Sequence, residues 1–301
     1  MDKREEKPEA ETGGSGAEAP GDAFVTIFDD TYDLPDCRGW FRMMDALGYR
    51  HQHFAAQLFR HAQAELARLR GRAEPRVVDF ACGYGIVAAL MRFDVTLEEV
   101  LARYRDARFD DATPEQVIAW DRAWLGPRRR TDLAAHITGI DVAANAVAYA
   151  QATGILDAGF AEDLDSADPS PELAAALAGT DLIVEAGSVA HLMPRTLDRL
   201  LGAAGTRKPW VLTSPTRGND RPAALDVFRA HGLTVASLPV PPFVHRRFES
   251  ADEQARGIAN ARAAGHTDTD LFEATGHFHA QAILAHPSDE TVPLDGWPLP
   301  H

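Results

Sequence analysis

Val77-Val78-Asp79-Phe80-Ala81-Cys82-Gly83-Tyr84-Gly85-Ile86-Val87-Ala88-Ala89-Leu90 runs from a short apolar stretch through an acid and a small-residue turn straight into an amphipathic segment. This order reads as a strand that ends in a tight turn and opens a helix. Glycine suits such a turn because the backbone bends sharply there and can approach a ligand with no side chain in the way. The first N–H groups of the following helix have no partner inside the helix, so they face a ligand at the same place. The stretch predicts a nucleotide-like ligand at the carboxyl end of the strand.

Working outward, helices and strands alternate. Residues 40–47 and 51–69 read as helices, with Phe54, Leu58, Leu66 and Leu69 near helical spacing in the second. Strands are expected at 76–80, 136–141, 159–163, 181–186, 209–214, 233–238 and 277–285. The run Leu182-Ile183-Val184 is unbroken, as in a parallel strand covered on both faces. Between the strands, helices are expected over 143–153, from Pro194 through Leu197, Leu200 and Leu201, and over 222–230, with Gly154 and Gly232 ending the first and last of these. The alternation predicts an α/β fold: a doubly wound, Rossmann-like sheet of seven mostly parallel strands, with ligands gathering at the strands' carboxyl ends.

Two cofactor classes use a glycine-rich turn of this kind. Gly83-Tyr84-Gly85-Ile86-Val87-Ala88 fits the loose dinucleotide pattern G-x-G-x-x-A. The wider pattern Asp79-x-Ala81-Cys82-Gly83-x-Gly85 resembles the first motif of class I S-adenosylmethionine-dependent methyltransferases. Ala81 stands where that motif has its first glycine and asks for a negative φ. The resemblance continues downstream in order. It implies that Asp141, with Val142 beside it, meets the ribose hydroxyls and that Glu162 and Asp163 meet the adenine amino group. It also implies that Glu185, Ala186, Gly187 and Ser188 lie beside the methionine arm and the substrate. Each acid could instead be a helix cap or a solvated loop residue. A dinucleotide enzyme would place its ribose acid about 20 residues beyond the glycines, and Asp141 is much farther along.

The distance comes from an insertion over 94–135. It carries two capping boxes, Thr96-Leu97-Glu98-Glu99 and Thr113-Pro114-Glu115-Gln116, so it is expected to be helical. Leu97, Leu101 and Tyr104 form one apolar stripe and Val117, Trp120 and Trp124 another, as packing helices do. Arg128-Arg129-Arg130 reads as a solvated helix end or, alternatively, a grip for an acidic substrate.

At 301 residues and 45% hydrophobic content the chain can bury a substantial core. The division expected is a disordered tail over 1–21, a helical cap over 22–72, and an α/β ligand-binding domain over 73–301 that holds the insertion. The formal charge of −15 opposes general nucleic-acid binding. No long apolar run or signal peptide is legible, so no membrane partner is expected. With only Cys37 and Cys82 there is no disulfide framework, and a cytoplasmic protein is the default. A homodimer is the assembly left open.

The function expected is transfer of a methyl group from S-adenosylmethionine to a small molecule of the secondary-metabolism type, by an enzyme that needs no metal. His191, beyond the fourth strand, and Tyr32, on the cap, are the catalytic candidates; Tyr32, Arg38, Trp40, Ser188 and His191 are the substrate-facing ones. His191 could act as general base on a hydroxyl acceptor or simply pack at a helix start. Tyr32 and Trp40 could pack on a cation, and Arg38 could pair with a carboxylate. His245, His277 and His279 are weaker candidates. The Asn-Pro-Pro-aromatic motif of many amino-group methyltransferases is absent after the fourth strand. The alternatives are aminocarboxypropyl transfer or cyclisation releasing methylthioadenosine, a nonenzymatic S-adenosylmethionine-binding protein, and an NAD(P)-dependent oxidoreductase.

Overall fold

The computed structural model describes residues 29–188 and 190–299, so the tail expected over 1–21 lies outside the described residues. In chain order the elements are α1 (Asp29–Tyr32), α2 (Arg38–Ala46), α3 (His51–Arg70), β1 (Arg76–Phe80), α4 (Ile86–Arg92), α5 (Leu97–Arg103), α6 (Pro114–Leu125), β2 (His136–Asp141), α7 (Ala144–Ala152) and β3 (Ala158–Ala161). There follow α8 (Pro171–Leu177), β4 (Leu182–Ala186), α9 (Pro194–Ala203), β5 (Trp210–Ser214), α10 (Pro222–Ala230), β6 (Leu233–Ser237), β7 (Phe243–Arg247), α11 (Ala251–Ala263), β8 (His277–Ala280) and β9 (Ile283–Pro287).

Seven strands form one sheet in the order β3-β2-β1-β4-β5-β9-β6. The first five of these are parallel neighbours, whereas β9 runs antiparallel to both β5 and β6. An all-parallel dinucleotide sheet would run 3-2-1-4-5-6, so the inserted reversed strand sets this sheet apart. Successive residues of a strand face opposite layers, and each central strand has an apolar residue for both. Val77, Leu182, Val184 and Leu212 join the core under α3, α4 and α7, while Val78, Ile183 and Val211 pack beneath α8, α9 and α10.

Strand order reverses between β1 and β4, which leaves a crevice beyond their carboxyl ends. Both capping boxes of the insertion form, at Thr96 with Glu99 and at Thr113 with Gln116. The insertion and α2 are joined: the Phe41 and Tyr104 rings stack at 5.1 Å, and the Arg42 Nε–H donates to the Tyr104 carbonyl at 2.8 Å. Of the three arginines at the end of the insertion, Arg128 stacks on Trp124 and Arg130 pairs with Asp94. By contrast α3 lies against the sheet with ten buried residues, among them Leu58, Phe59 and Leu66, and so forms part of a flanking layer.

The strand expected over 277–285 is two strands. At Gln281 and Ala282 the chain leaves β8, which pairs with β7 in a separate two-stranded ribbon, and enters β9 in the main sheet. The sheet's seventh strand is therefore β9. The ribbon and α11, absent from the sequence reading, are held together by the buried Arg246–Glu253 ion pair at 2.7 Å.

Candidate active site

The turn after β1 explains the glycine pattern residue by residue. Gly83 and Gly85 have φ of 49° and 75°, the left-handed region that favours glycine. A Cβ on Gly83 would come within 2.9 Å of the Tyr32 hydroxyl, whereas one on Gly85 would strike Ile155 Cγ2 at 2.8 Å and Ala150 Cβ at 3.0 Å. Gly83 thus faces the crevice, and Gly85 permits close packing on α7 and the turn after it. The negative φ expected at Ala81 is corrected: its φ is 55°, positive like the glycine it replaces, because the turn requires that conformation whichever residue occupies it. A non-glycine residue held this way stores about 1 kcal/mol or more.

Above this turn lies a cavity of about 440 Å³. Residues 80–84 and Ile86 line it from β1 and its turn, Asp141 and Val142 from β2, and Glu162, Asp163 and Leu164 from β3. Ala186, Gly187, Ser188, Ala190, Met193 and Thr196 line it beyond β4. Tyr32, Trp40, Met44, Tyr49 and Gln52 close it from the N-terminal side, and His245 reaches it from β7. Among these described residues three carry carboxylates and none is Lys or Arg.

Asp141 is the hub of the site. Its Oδ2 accepts from the Gly83 N–H at 2.8 Å and from the Tyr32 hydroxyl at 3.0 Å, and its Oδ1 accepts from the Ala143 N–H at 3.0 Å. Burial and then the Asp141 charge push the Tyr32 phenol well above its ordinary range, which keeps it a donor. The next two residues dock as well. Asp33 accepts from the Asn145 N–H at 2.8 Å, capping α7 from outside, and the Tyr84 hydroxyl donates to the Leu34 carbonyl at 3.0 Å and accepts from the Leu34 N–H at 2.9 Å. Glu162 accepts from the Ser170 N–H at 2.9 Å, at the start of α8, and Asp163 accepts from the Asp165 N–H at 2.9 Å, so both acids also shape their own turns.

Five expected site residues lie off the cavity wall: Gly85, packed against Ile155 and Ala150, and the four that follow. Asp79 is buried beneath the turn, accepting from the Ala88 N–H at 3.2 Å, and burial followed by repulsion from Asp141 and Glu185 drives its carboxyl up to about 8. Glu185 is buried too: it accepts from the Ser188 N–H at 2.5 Å and from the Thr213 hydroxyl, so it braces the turn that presents Gly187 and Ser188. Arg38, expected to grip a substrate carboxylate, is corrected to a structural link. Its guanidinium binds Asp36 through both oxygens at 2.9 Å and donates to the Phe109 carbonyl, tying α2 to the insertion.

His191, expected as the catalytic base, is corrected likewise. It is 1% exposed, its ring meets Phe228 edge-on at 5.9 Å under α10, and its Nε2 lies 3.0 Å from Thr213 Oγ1. Since the Thr213 hydroxyl donates to Glu185, His191 Nε2 carries the proton and donates in turn. That nitrogen cannot accept a second proton, and the ring does not line the cavity.

The cavity residues that sequence reading passed over are chiefly Met44, Tyr49, Gln52 and Met193, while His245 was ranked low. Tyr49 sits in the four-residue link between α2 and α3, where its side chain faces the crevice.

No protein-family model matches this chain, and no curated protein does. Among solved structures it is similar to a TehB-like SAM-dependent methyltransferase from Corynebacterium glutamicum, at 17% identity over 78% of this chain and 97% of the other, with a TM-score of 0.35. Magnesium protoporphyrin IX methyltransferase from Synechocystis is 12% identical over 88% and 100%, with a TM-score of 0.41. The [4+2]-cyclase SpnF is 14% identical over 76% and 80%, with a TM-score of 0.37. At these values no residue's role passes from them to this chain; the site stands on its own geometry.

Proposed function

We propose that this chain is an S-adenosylmethionine-dependent methyltransferase acting on a small molecule. The observation that carries the reading is the charge of the cavity at the β1–β4 crevice: Asp141, Glu162 and Asp163 line it, with no Lys or Arg among the described lining residues. A dinucleotide would bring a diphosphate into this field with no cation to meet it. A nucleoside carrying a sulfonium brings a positive charge and hydroxyls, both of which suit carboxylates.

In this reading Asp141 and Val142 hold the ribose, Glu162, Asp163 and Leu164 border the adenine, and Gly83, Ala186 and Gly187 leave room for the methionine arm. Bound there, S-adenosylmethionine supplies an electrophilic methyl group. The chain contributes position: Phe80, Ile86, Leu164 and Met193 exclude water, and Trp40, Met44 and Tyr49 narrow the space an acceptor can occupy.

Thermal melting with S-adenosylmethionine, S-adenosylhomocysteine and NADPH tests the cofactor. The first two are expected to raise Tm by mass action and NADPH to leave it unchanged. NADPH binding with no response to either sulfur compound would overturn the assignment. Incubation with S-adenosylmethionine and a metabolite extract, followed by mass spectrometry, separates the chemistries: methyl transfer leaves S-adenosylhomocysteine, aminocarboxypropyl chemistry leaves methylthioadenosine.

A further inference from the structure

The cavity wall on the side of α2 and the ribbon is an aromatic surface with neutral polar groups set into it. The Trp40 and Tyr49 rings meet edge to face at 5.5 Å, and Tyr49 and His245 do so at 5.2 Å. Gln52 lies in the same wall, its buried Oε1 without a partner. Behind His245, 4.7 Å ring to ring, stands the fully buried His51.

The proton of His51 can be placed. Ser214 donates its hydroxyl to the Glu185 carbonyl at 3.4 Å, so at 2.8 Å it accepts from His51 Nε2. A neutral imidazole has one proton, which leaves His51 Nδ1 a bare lone pair, buried and without a partner. His245 makes no side-chain hydrogen bond to any described residue, and its Nδ1 is buried. A Cβ on Gly187 would lie 2.4 Å from His51 Nδ1 and 2.9 Å from His245 Nε2. Two imidazole nitrogens thus converge over a glycine that lines the cavity, where no side chain fits. Buried polar atoms left unpaired are costly and call for an explanation, of which a ligand is one.

Resting on the cofactor reading above, we propose that this wall is the acceptor subsite, and that it takes an uncharged planar molecule whose hydroxyl meets His245 Nε2. An acidic acceptor would sit unpaired beside Asp141, Glu162 and Asp163, whereas an aromatic hydroxyl finds a flat wall and a neutral acceptor atom. Burial lowers His51 to about 3, and burial, with the Arg246 charge beside it, lowers His245 well below the usual imidazole range, so both rings are neutral. In the tautomer that carries its proton on Nδ1, His245 accepts at Nε2. As the oxygen–carbon bond forms, the carbon–sulfur bond breaks with its electron pair left on sulfur, and the hydroxyl proton passes to His245 Nε2.

The test uses 1-naphthol, 1-methoxynaphthalene and 1-naphthoate, with binding followed by calorimetry in the presence of S-adenosylhomocysteine. Naphthol should bind about tenfold more tightly than either relative, a difference of one hydrogen bond, and His245→Phe should remove that preference. A crystal structure of the wild-type naphthol complex, which needs no variant to fold, should place the hydroxyl within hydrogen-bonding distance of His245 Nε2. Absent naphthol binding, equal or better binding of the methoxy compound or naphthoate, a preference that survives in the variant, or a hydroxyl placed elsewhere each overturns the proposal. Failure of wild-type protein to bind S-adenosylhomocysteine in a separate titration overturns the cofactor reading instead, whichever way the naphthol result falls.

Discussion

Asp79 is a buried acid whose folded-state value of about 8 lies above that of an unfolded aspartate, with burial the largest cause. The folded chain therefore holds a proton that the unfolded chain releases. Its stability is fully present below the ordinary aspartate range and falls as pH rises toward 8. Asn in its place keeps an oxygen for the Ala88 N–H and cannot ionise, so Asp79→Asn should raise Tm more at pH 8 than at pH 5. Melting curves at the two pH values check this; a larger gain at pH 5 would reverse the sign. The same residue marks what sequence could and could not reveal about the site. Carboxylates at strand ends are visible as a pattern, and Asp141, Glu162 and Asp163 do reach the cavity. Which acid turns inward beneath the loop depends on side-chain direction, which one sequence does not display. His245 was obscure for a related reason: its strand belongs to a ribbon whose partner is far along the chain.

At the scale of elements, Asp121 joins three helices that local sequence describes separately. It accepts from Arg103 Nε at 2.7 Å, from the Tyr104 hydroxyl at 3.0 Å and from the Tyr149 hydroxyl at 2.8 Å, linking α6 to α5 and α7. Asp121→Ala would strand a largely buried guanidinium and should destabilise the protein by about 3–5 kcal/mol. Urea melts would register this as a lower midpoint, and an unchanged midpoint would mean the network is slack. Elements with strong local signals were legible, including the two capping boxes and the strands from β1 to β6. The break at Gln281 and Ala282 was not, because alternation runs through it with no Gly or Pro to mark it. Nor does sequence contain the pairing of β9 between β5 and β6, which is long-range. Helix α11 did carry a signal, Ser250 with Glu253 three residues on, but Glu253 turns to Arg246 and the Glu249 N–H instead of closing a capping box.

Over the whole molecule the formal charge is −15, and the cavity shares that sign. Long-range attraction to a cationic ligand is screened once the Debye length falls to a few ångströms, as it does between about 0.1 and 1 M salt. S-adenosylmethionine carries one more positive charge than S-adenosylhomocysteine, so its affinity should fall more steeply with added salt. Titration calorimetry at several salt concentrations measures both slopes; equal slopes would place the sulfonium outside the acidic field.

Tyr32, Asp33 and Leu34 fasten onto Asp141, the start of α7 and Tyr84 in three consecutive steps, and the first of these bonds uses the oxygen a ribose hydroxyl would seek. Tyrosine and ligand are thus rivals for one partner, and the site is receptive only where that bond is open. Apparent affinity is the intrinsic affinity multiplied by the receptive fraction. Tyr32→Phe removes the rival hydroxyl while keeping the ring, and should tighten S-adenosylhomocysteine about three- to tenfold, the worth of one hydrogen bond. Weaker binding in the variant would mean that Tyr32 shares the ligand with Asp141. The residue that shelters the site also governs how readily a ribose can reach Asp141.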